Sequence, residues 1–109
     1  MTTSLQPIAP MEAKSLVDSG KAVLIDIREP MEHARERIPG ARLVPLSKLG
    51  ADAIAAAAGA KQVIYHCQSG ARTTVNAARL AGAVSGTAYV VAGGIVAWKA
   101  ARLPTAAAR

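Results

Sequence analysis

The sequence predicts an α/β fold: a mostly parallel central sheet with helices on both faces. Two observations carry this. Apolar, β-favouring runs alternate along the chain with segments of helical apolar spacing, the pattern of strand–helix–strand units. The run Ala22-Val23-Leu24-Ile25-Asp26-Ile27 is also almost continuously apolar rather than alternating, as a strand covered on both faces requires.

The elements follow in order. Residues 10–17 repeat their apolar side chains near every 3.6 positions and stop at Ser19-Gly20, predicting a helix. Residues 22–27 predict a buried strand. Pro30 opens a short helix through Arg37, with Glu29 and Glu32 at the end that favours negative charge. Pro39-Gly40 breaks the chain, residues 42–45 predict a short extended piece, and Ser47 caps a short helix. A helix from Asp52 to Ala58 ends at Gly59, and a strand over 62–66 follows. Residues 72–81 predict one helix stopped by Gly82, residues 87–92 a strand, and Gly93-Gly94 the turn into a last helix over 95–101, ended by Pro104. Residues 105–109 predict a frayed tail. No internal repeat or linker is visible, so residues 1–109 read as a single domain with a core over about 4–104.

Composition narrows the function. Hydrophobic residues make up 51% of the chain and aromatics 3%, with no Phe, so the core is built from Val, Ile, Leu and Ala. The single cysteine has no internal disulfide partner, and a free thiol suggests a reducing compartment, the cytoplasm. The N-terminus shows no basic stretch followed by an apolar run, so no secretory signal is expected. Residues 80–98 carry no charge and approach the length of a bilayer span, but Gly82, Gly86, Gly93 and Gly94 interrupt them, which argues against stable membrane insertion. All seven acids lie in residues 1–52, while Lys61, Arg72, Arg79, Lys99, Arg102 and Arg109 stand in a stretch without acids and supply the net charge of +6. That asymmetry favours small anionic substrates. Without a dense basic run or interleaved aromatics, nucleic acid is not an expected partner.

Cys67 is the centre of the functional reading. The strand over 62–66 delivers it to a polar turn, Gln68-Ser69-Gly70-Ala71, and a helical pattern begins near Arg72. In parallel sheets, sites form at the carboxyl ends of strands. A tight loop there can curl its N–H groups around one anionic atom, with Gly70 free to adopt positive φ. Backbone N–H groups, the helix start and the Arg72 charge all favour thiolate, the nucleophilic form. Gln68 and Ser69 offer donors to oxyanion groups, Thr73 can cap the helix or bond the sulfur, and Arg72 can aim at a bound anion or brace the loop from outside. Adjacent strand residues point to opposite faces, so His66 is not expected to act as a base for Cys67. Asp26 and Arg28 read as an ion-paired strand end, and Trp98 as core. Cys67, His66 and His33 lack the number and spacing of a metal site. The chemistry this supports is covalent attack by the thiolate on an electrophilic sulfur or phosphorus; in sulfur transfer the thiolate takes a sulfane sulfur, becomes a persulfide and passes the sulfur to a second nucleophile, without metal or organic cofactor.

Four stretches together resemble a single-domain rhodanese. Residues 26–33, Asp-Ile-Arg-Glu-Pro-Met-Glu-His, are similar to the family's Asp-x-Arg…Glu-aromatic motif. Ile38-Pro39-Gly40-Ala41 is similar to its Ile-x-Gly-Ala, residues 67–73 to its active-site loop, and Gly93-Gly94…Trp98 to its Gly-Gly…Trp element. The chain departs from the family at His33, where an aromatic is usual, and at Glu36-Arg37, where Gly-His is frequent. The resemblance implies a rhodanese-like three-layer domain with Cys67 catalytic and Gln68, Ser69, Gly70, Ala71, Arg72 and Thr73 binding substrate. Asp26, Arg28 and Glu32 would support the site. It implies an anionic donor such as thiosulfate, and cyanide, a thiol or a protein as acceptor. Two alternatives remain: a phosphatase or arsenate reductase of related fold, and a non-catalytic persulfide carrier or sensor. Cysteine phosphatases place five residues between Cys and Arg; here there are four, which narrows the cradle.

Overall fold

The structure is a computed structural model and describes residues 4–107. Five strands, β1 (Ser4–Ile8), β2 (Ala22–Asp26), β3 (Arg42–Leu43), β4 (Gln62–His66) and β5 (Thr87–Val91), form one sheet in the order β1-β5-β4-β2-β3. Every pairing is parallel, and β2 and β4 run in register from Ala22 opposite Gln62 to Asp26 opposite His66. Five helices lie between the strands, α1 (Pro10–Asp18), α2 (Pro30–Arg35), α3 (Ala51–Ala58), α4 (Ala71–Val75) and α5 (Ala77–Gly82), and a sixth, α6 (Gly94–Ala100), follows β5.

Strand alternation divides the core in two. Val23, Ile25, Val63 and Tyr65 face Ile54 and Ala58 of α3 and Leu80 of α5. Ala22, Leu24, Ile64 and Val91 face Ala13 of α1 and Ile95 and Trp98 of α6. The result is a three-layer α/β sandwich in which each central strand is apolar on both sides, as the unbroken runs require.

The structure departs from the sequence expectations at four places. β1 has no counterpart among them, because Gln6 and Pro7 break an apolar pattern; Pro7 is tolerated since β1 is an edge strand bonded only to β5. The helix expected over 72–81 is two helices. Asn76 leaves helical geometry (φ −104°, ψ 19°), and its side-chain amide donates to the Arg72 carbonyl at 2.8 Å, competing with the helical ladder. Ser47 lies inside a single 3₁₀ turn, Leu46–Lys48, and caps nothing. The expected frayed tail is paired as far as it is described: Arg37 and Ala106 exchange two backbone hydrogen bonds of 2.8 Å. Residues 108 and 109 lie outside the described residues. The uncharged stretch 80–98 is divided among α5, β5 and α6, and no helix among the described residues is long and apolar enough to cross a membrane.

Tyr65 ties the sheet to α5. Its hydroxyl donates to the Leu80 carbonyl at 2.9 Å, and burial pushes its pKa up to about 12. Tyr65→Phe is expected to lose about 1 kcal/mol of unfolding free energy, read as a lowered urea midpoint. Because the folded state holds the phenolic proton more tightly, the stability of the native protein should fall as pH rises from 10.0 towards 12. The Phe variant should lack that component.

Candidate active site

Cys67 leaves the carboxyl end of β4 and opens the loop that Gly70 closes, at φ 99°, before α4. The loop is held from behind by the start of α6. The Ile95 N–H donates to the Cys67 carbonyl at 2.9 Å and the Val96 N–H to the Gln68 carbonyl at 3.0 Å. Gly94 makes this approach possible: a Cβ there would lie 2.5 Å from the Cys67 oxygen and 2.6 Å from the Gln68 oxygen. With both peptides trans, fixing these carbonyls towards α6 turns the N–H groups of Gln68 and Ser69 away from it.

The sulfur sits at the bottom of this loop. Cys67 is 1% exposed and packs with Tyr65 and Ile27 in the core. Its Sγ accepts the Gly70 N–H at 3.1 Å and lies 3.8 Å from the Thr73 hydroxyl. The expected ring of amides is thus, among the described residues, one amide and one hydroxyl at the sulfur. Thr73 donates to the Gly70 carbonyl at 2.9 Å, but that carbonyl also receives the Thr74 N–H at 3.0 Å and the Thr74 hydroxyl at 2.8 Å. A carbonyl oxygen has two lone pairs, so the Thr73 hydroxyl proton is free to turn towards an anionic sulfur at little cost.

Arg72 does not aim at the sulfur. Its guanidinium forks onto Glu32 at 2.6 and 2.8 Å, bracing the loop against α2 from outside. This bidentate pair holds the Glu32 carboxyl down to about pKa 2 and raises the Arg72 guanidinium further. Lys99 pairs in the same way with Glu36 at 3.0 Å. Two bases of the acid-free half therefore find acids of the first half in space. Gln68, Ser69 and Ala71 are exposed, and the Gln68 side-chain oxygen accepts from Arg28 at 3.0 Å.

Beneath α2 lies a buried ionic cluster. Asp26, fully buried, takes Arg28 through Nε at 3.0 Å and Nη2 at 2.9 Å, the Arg28 backbone N–H at 2.9 Å, and His33 Nδ1 at 2.8 Å. Burial alone would raise this carboxyl; Arg28, His66 and His33 outweigh it and hold the carboxyl below its ordinary value. Arg28 reaches on to the Glu36 carbonyl at 2.6 Å, so one guanidinium links β2, α2 and the cysteine loop. His66 is buried on the sheet face opposite Cys67, its Nε2 3.8 Å from Asp26 and without a hydrogen-bond partner, and burial lowers its pKa. His33, which sequence reading noted as a departure and set aside as a metal ligand, is a hydrogen-bond partner of this carboxylate; an imidazole where an aromatic is usual was the available signal. Among the described residues, no three His, Cys, Asp or Glu side chains gather as a metal site would require.

Residues 9–101 match the family described as Rhodanese-like domain. The chain belongs to the rhodanese-like domain family. The uncharacterized protein slr1261 of Synechocystis is 39% identical over 100 residues, covering 90% of this chain, which spans 54% of that protein. A protein of Allochromatium vinosum named Sulfurtransferase is 32% identical over 102 residues, covering 87% of this chain and 88% of its own. The crystal structure of a rhodanese-related protein from Thermoplasma volcanium superposes with a TM-score of 0.75 at 21% identity, over 93% of this chain and 97% of that one, which shows the shared fold.

In this rhodanese domain the space next to the loop is a cavity of about 280 Å³ bordered by Arg28, Glu32, Arg35, Glu36 and Gln68. A larger cavity of about 450 Å³ lies at the far end of β4, lined mainly by alanines of α3 and by residues 82–85, and holds no nucleophile beyond Ser85 and Lys61. Of the two, only the first is bordered by the residue following Cys67.

Two predictions follow from the bracing. Gly94→Ala should cost on the order of 3 kcal/mol, because the methyl meets two backbone oxygens and φ is 62°. Urea unfolding checks this. Arg72→Ala and Glu32→Gln should each cost about 1 kcal/mol, and the double variant no more than either alone. Since the folded Glu32 pKa lies below its ordinary 4.5, the pair's contribution is present above that pH and is lost as pH falls towards 2. Either variant should flatten the acid side of the stability profile by that amount.

Proposed function

We propose that this rhodanese domain is a sulfurtransferase whose Cys67 carries the transferred sulfur as a persulfide. The observation that carries the reading is the sulfur's setting: the chain's single cysteine, at a strand's carboxyl end, accepts one fixed N–H and has a redirectable hydroxyl beside it. With thiosulfate, the Cys67 thiolate attacks the sulfane sulfur. The sulfur–sulfur bond breaks, and sulfite leaves with the bonding pair. The product is a Cys67 persulfide anion, which cyanide or a thiolate then attacks at its outer sulfur, regenerating the Cys67 thiolate. Negative charge stays on sulfur throughout, and the Gly70 N–H and the Thr73 hydroxyl are the groups placed to stabilise it. Gln68, Ser69, Gly70, Ala71 and Thr73 form the donor-facing wall, and Arg72 fixes its shape.

The burial of Cys67 means that the loop must yield for a donor to enter. Transfer to a protein thiol uses the same persulfide, so a carrier role is part of one chemistry with the enzyme. A phosphatase reading finds less support: Arg72 is engaged by Glu32, and only four residues separate it from Cys67. A reducing compartment such as the cytoplasm suits a mechanism that needs the free thiol.

Incubation with thiosulfate is expected to add one sulfur (~32 Da) to the intact mass of the native chain, removable by cyanide as thiocyanate. Cys67→Ala should show neither the mass gain nor thiocyanate above background. A native chain that stays at its starting mass, or a Cys67→Ala variant that turns over, would overturn the reading.

A further inference from the structure

We propose that Arg35, outside the cysteine loop, is the recognition cation for the oxyanion end of the sulfur donor. This rests on the sulfur-transfer reading above and extends it to donor selection. The argument begins with the charges around the cavity beside the loop. Arg28 is engaged by Asp26, by the Gln68 side-chain oxygen and by the Glu36 carbonyl. Glu32 is engaged by Arg72, and Glu36 by Lys99 at 3.0 Å and the Thr105 hydroxyl at 3.0 Å. Arg35, exposed at the end of α2, has no hydrogen-bond or ion-pair partner among the described residues. Every other charged group bordering the cavity is matched, so its uncompensated charge is the Arg35 guanidinium.

Gln68 supplies the complementary donors. Its side-chain oxygen is fixed on Arg28, which leaves the two N–H groups of the same amide free of the protein. A guanidinium fork and an amide NH₂ bordering one cavity match an oxyanion with several acceptor oxygens. The cavity, at about 280 Å³, is several times the roughly 30 Å³ share of one water, so a sulfonate group fits with its hydration. Gln68 directly follows Cys67 and its backbone is locked to α6, so an anion held there lies against the cysteine loop, and its remaining sulfur reaches the buried nucleophile when that loop yields. Donors with a sulfonate or similar anionic end are therefore the class this surface selects.

The test separates binding from transfer. Sulfate, which cannot donate sulfur, is titrated into the native chain, Arg35→Gln and Arg35→Lys while backbone amide NMR signals are followed. Sulfate is expected to shift the signals of Gln68 and α2 in the native chain, about tenfold more weakly in Arg35→Gln, and with partial recovery in Arg35→Lys. In thiosulfate:cyanide turnover, Arg35→Gln should raise the thiosulfate KM about tenfold with kcat within about twofold, and added salt should raise the native KM towards the variant's. Circular dichroism of the variants should match the native chain, since the side chain is exposed. Equal sulfate binding by the native chain and Arg35→Gln, or no sulfate response at Gln68 in the native chain, overturns the proposal. Sulfate binding that depends on Arg35, together with no mass gain on Cys67 from thiosulfate, leaves the anion site standing and overturns the transfer reading instead.

Discussion

The grip of α6 on the cysteine loop is the contact on which the site depends. Two amides at the start of that helix hold the Cys67 and Gln68 carbonyls at 2.9 and 3.0 Å. This fixes two consecutive peptide planes and, with them, the direction of the sulfur and of the Gln68 side chain. Only a residue without a Cβ lets the helix come this close, and Gly94 occupies that position. The same helix buries Ile95 and Trp98 against the sheet, so core packing and loop geometry are set by one rigid element. Such a backing orients the loop's amides before any ligand arrives.

Electrostatics around the loop follow a pattern of matched pairs. The acids of the first half and the bases of the second, separate in sequence, meet across the mouth of the site as Glu32 with Arg72 and Glu36 with Lys99. Below them, Asp26 gathers Arg28, His33 and His66 around one buried carboxylate. A charge buried without partners would cost several kcal/mol, so this cluster stands or falls as a unit. Within it, Arg28 carries that rigidity to Gln68.

Much of this was legible in the sequence. The strand over 62–66 has the bounds of β4 because a β-branched run ends abruptly at a polar turn. The parallel sheet followed from strands separated by helices. The position of Cys67 followed from both. The missing pieces are those that tertiary contact decides. β1 reads as no element because Gln6 and Pro7 interrupt it, and it forms only because β5 offers it a ladder. The break at Asn76 is a side chain competing locally with the backbone, which helical spacing does not register. The partner of Arg72 lies forty positions away, so sequence left open whether it faced the anion or the loop's outer side. His33 looked like a lost aromatic, and only the fold shows that its nitrogen replaces ring packing with a hydrogen bond to Asp26.

The sheet order also constrains how this chain is made. Of the five described strands β1 is synthesised first, yet its only neighbour is β5, the last of them. The nascent chain must therefore carry an unsatisfied strand edge until β5 has been made. Pairing β2 with β4 closes a much shorter span and can come earlier, at lower entropic cost. Pro7 within β1 lacks an N–H to offer a stranger's edge, so the residue that hid the strand from sequence reading also guards the waiting segment against aggregation.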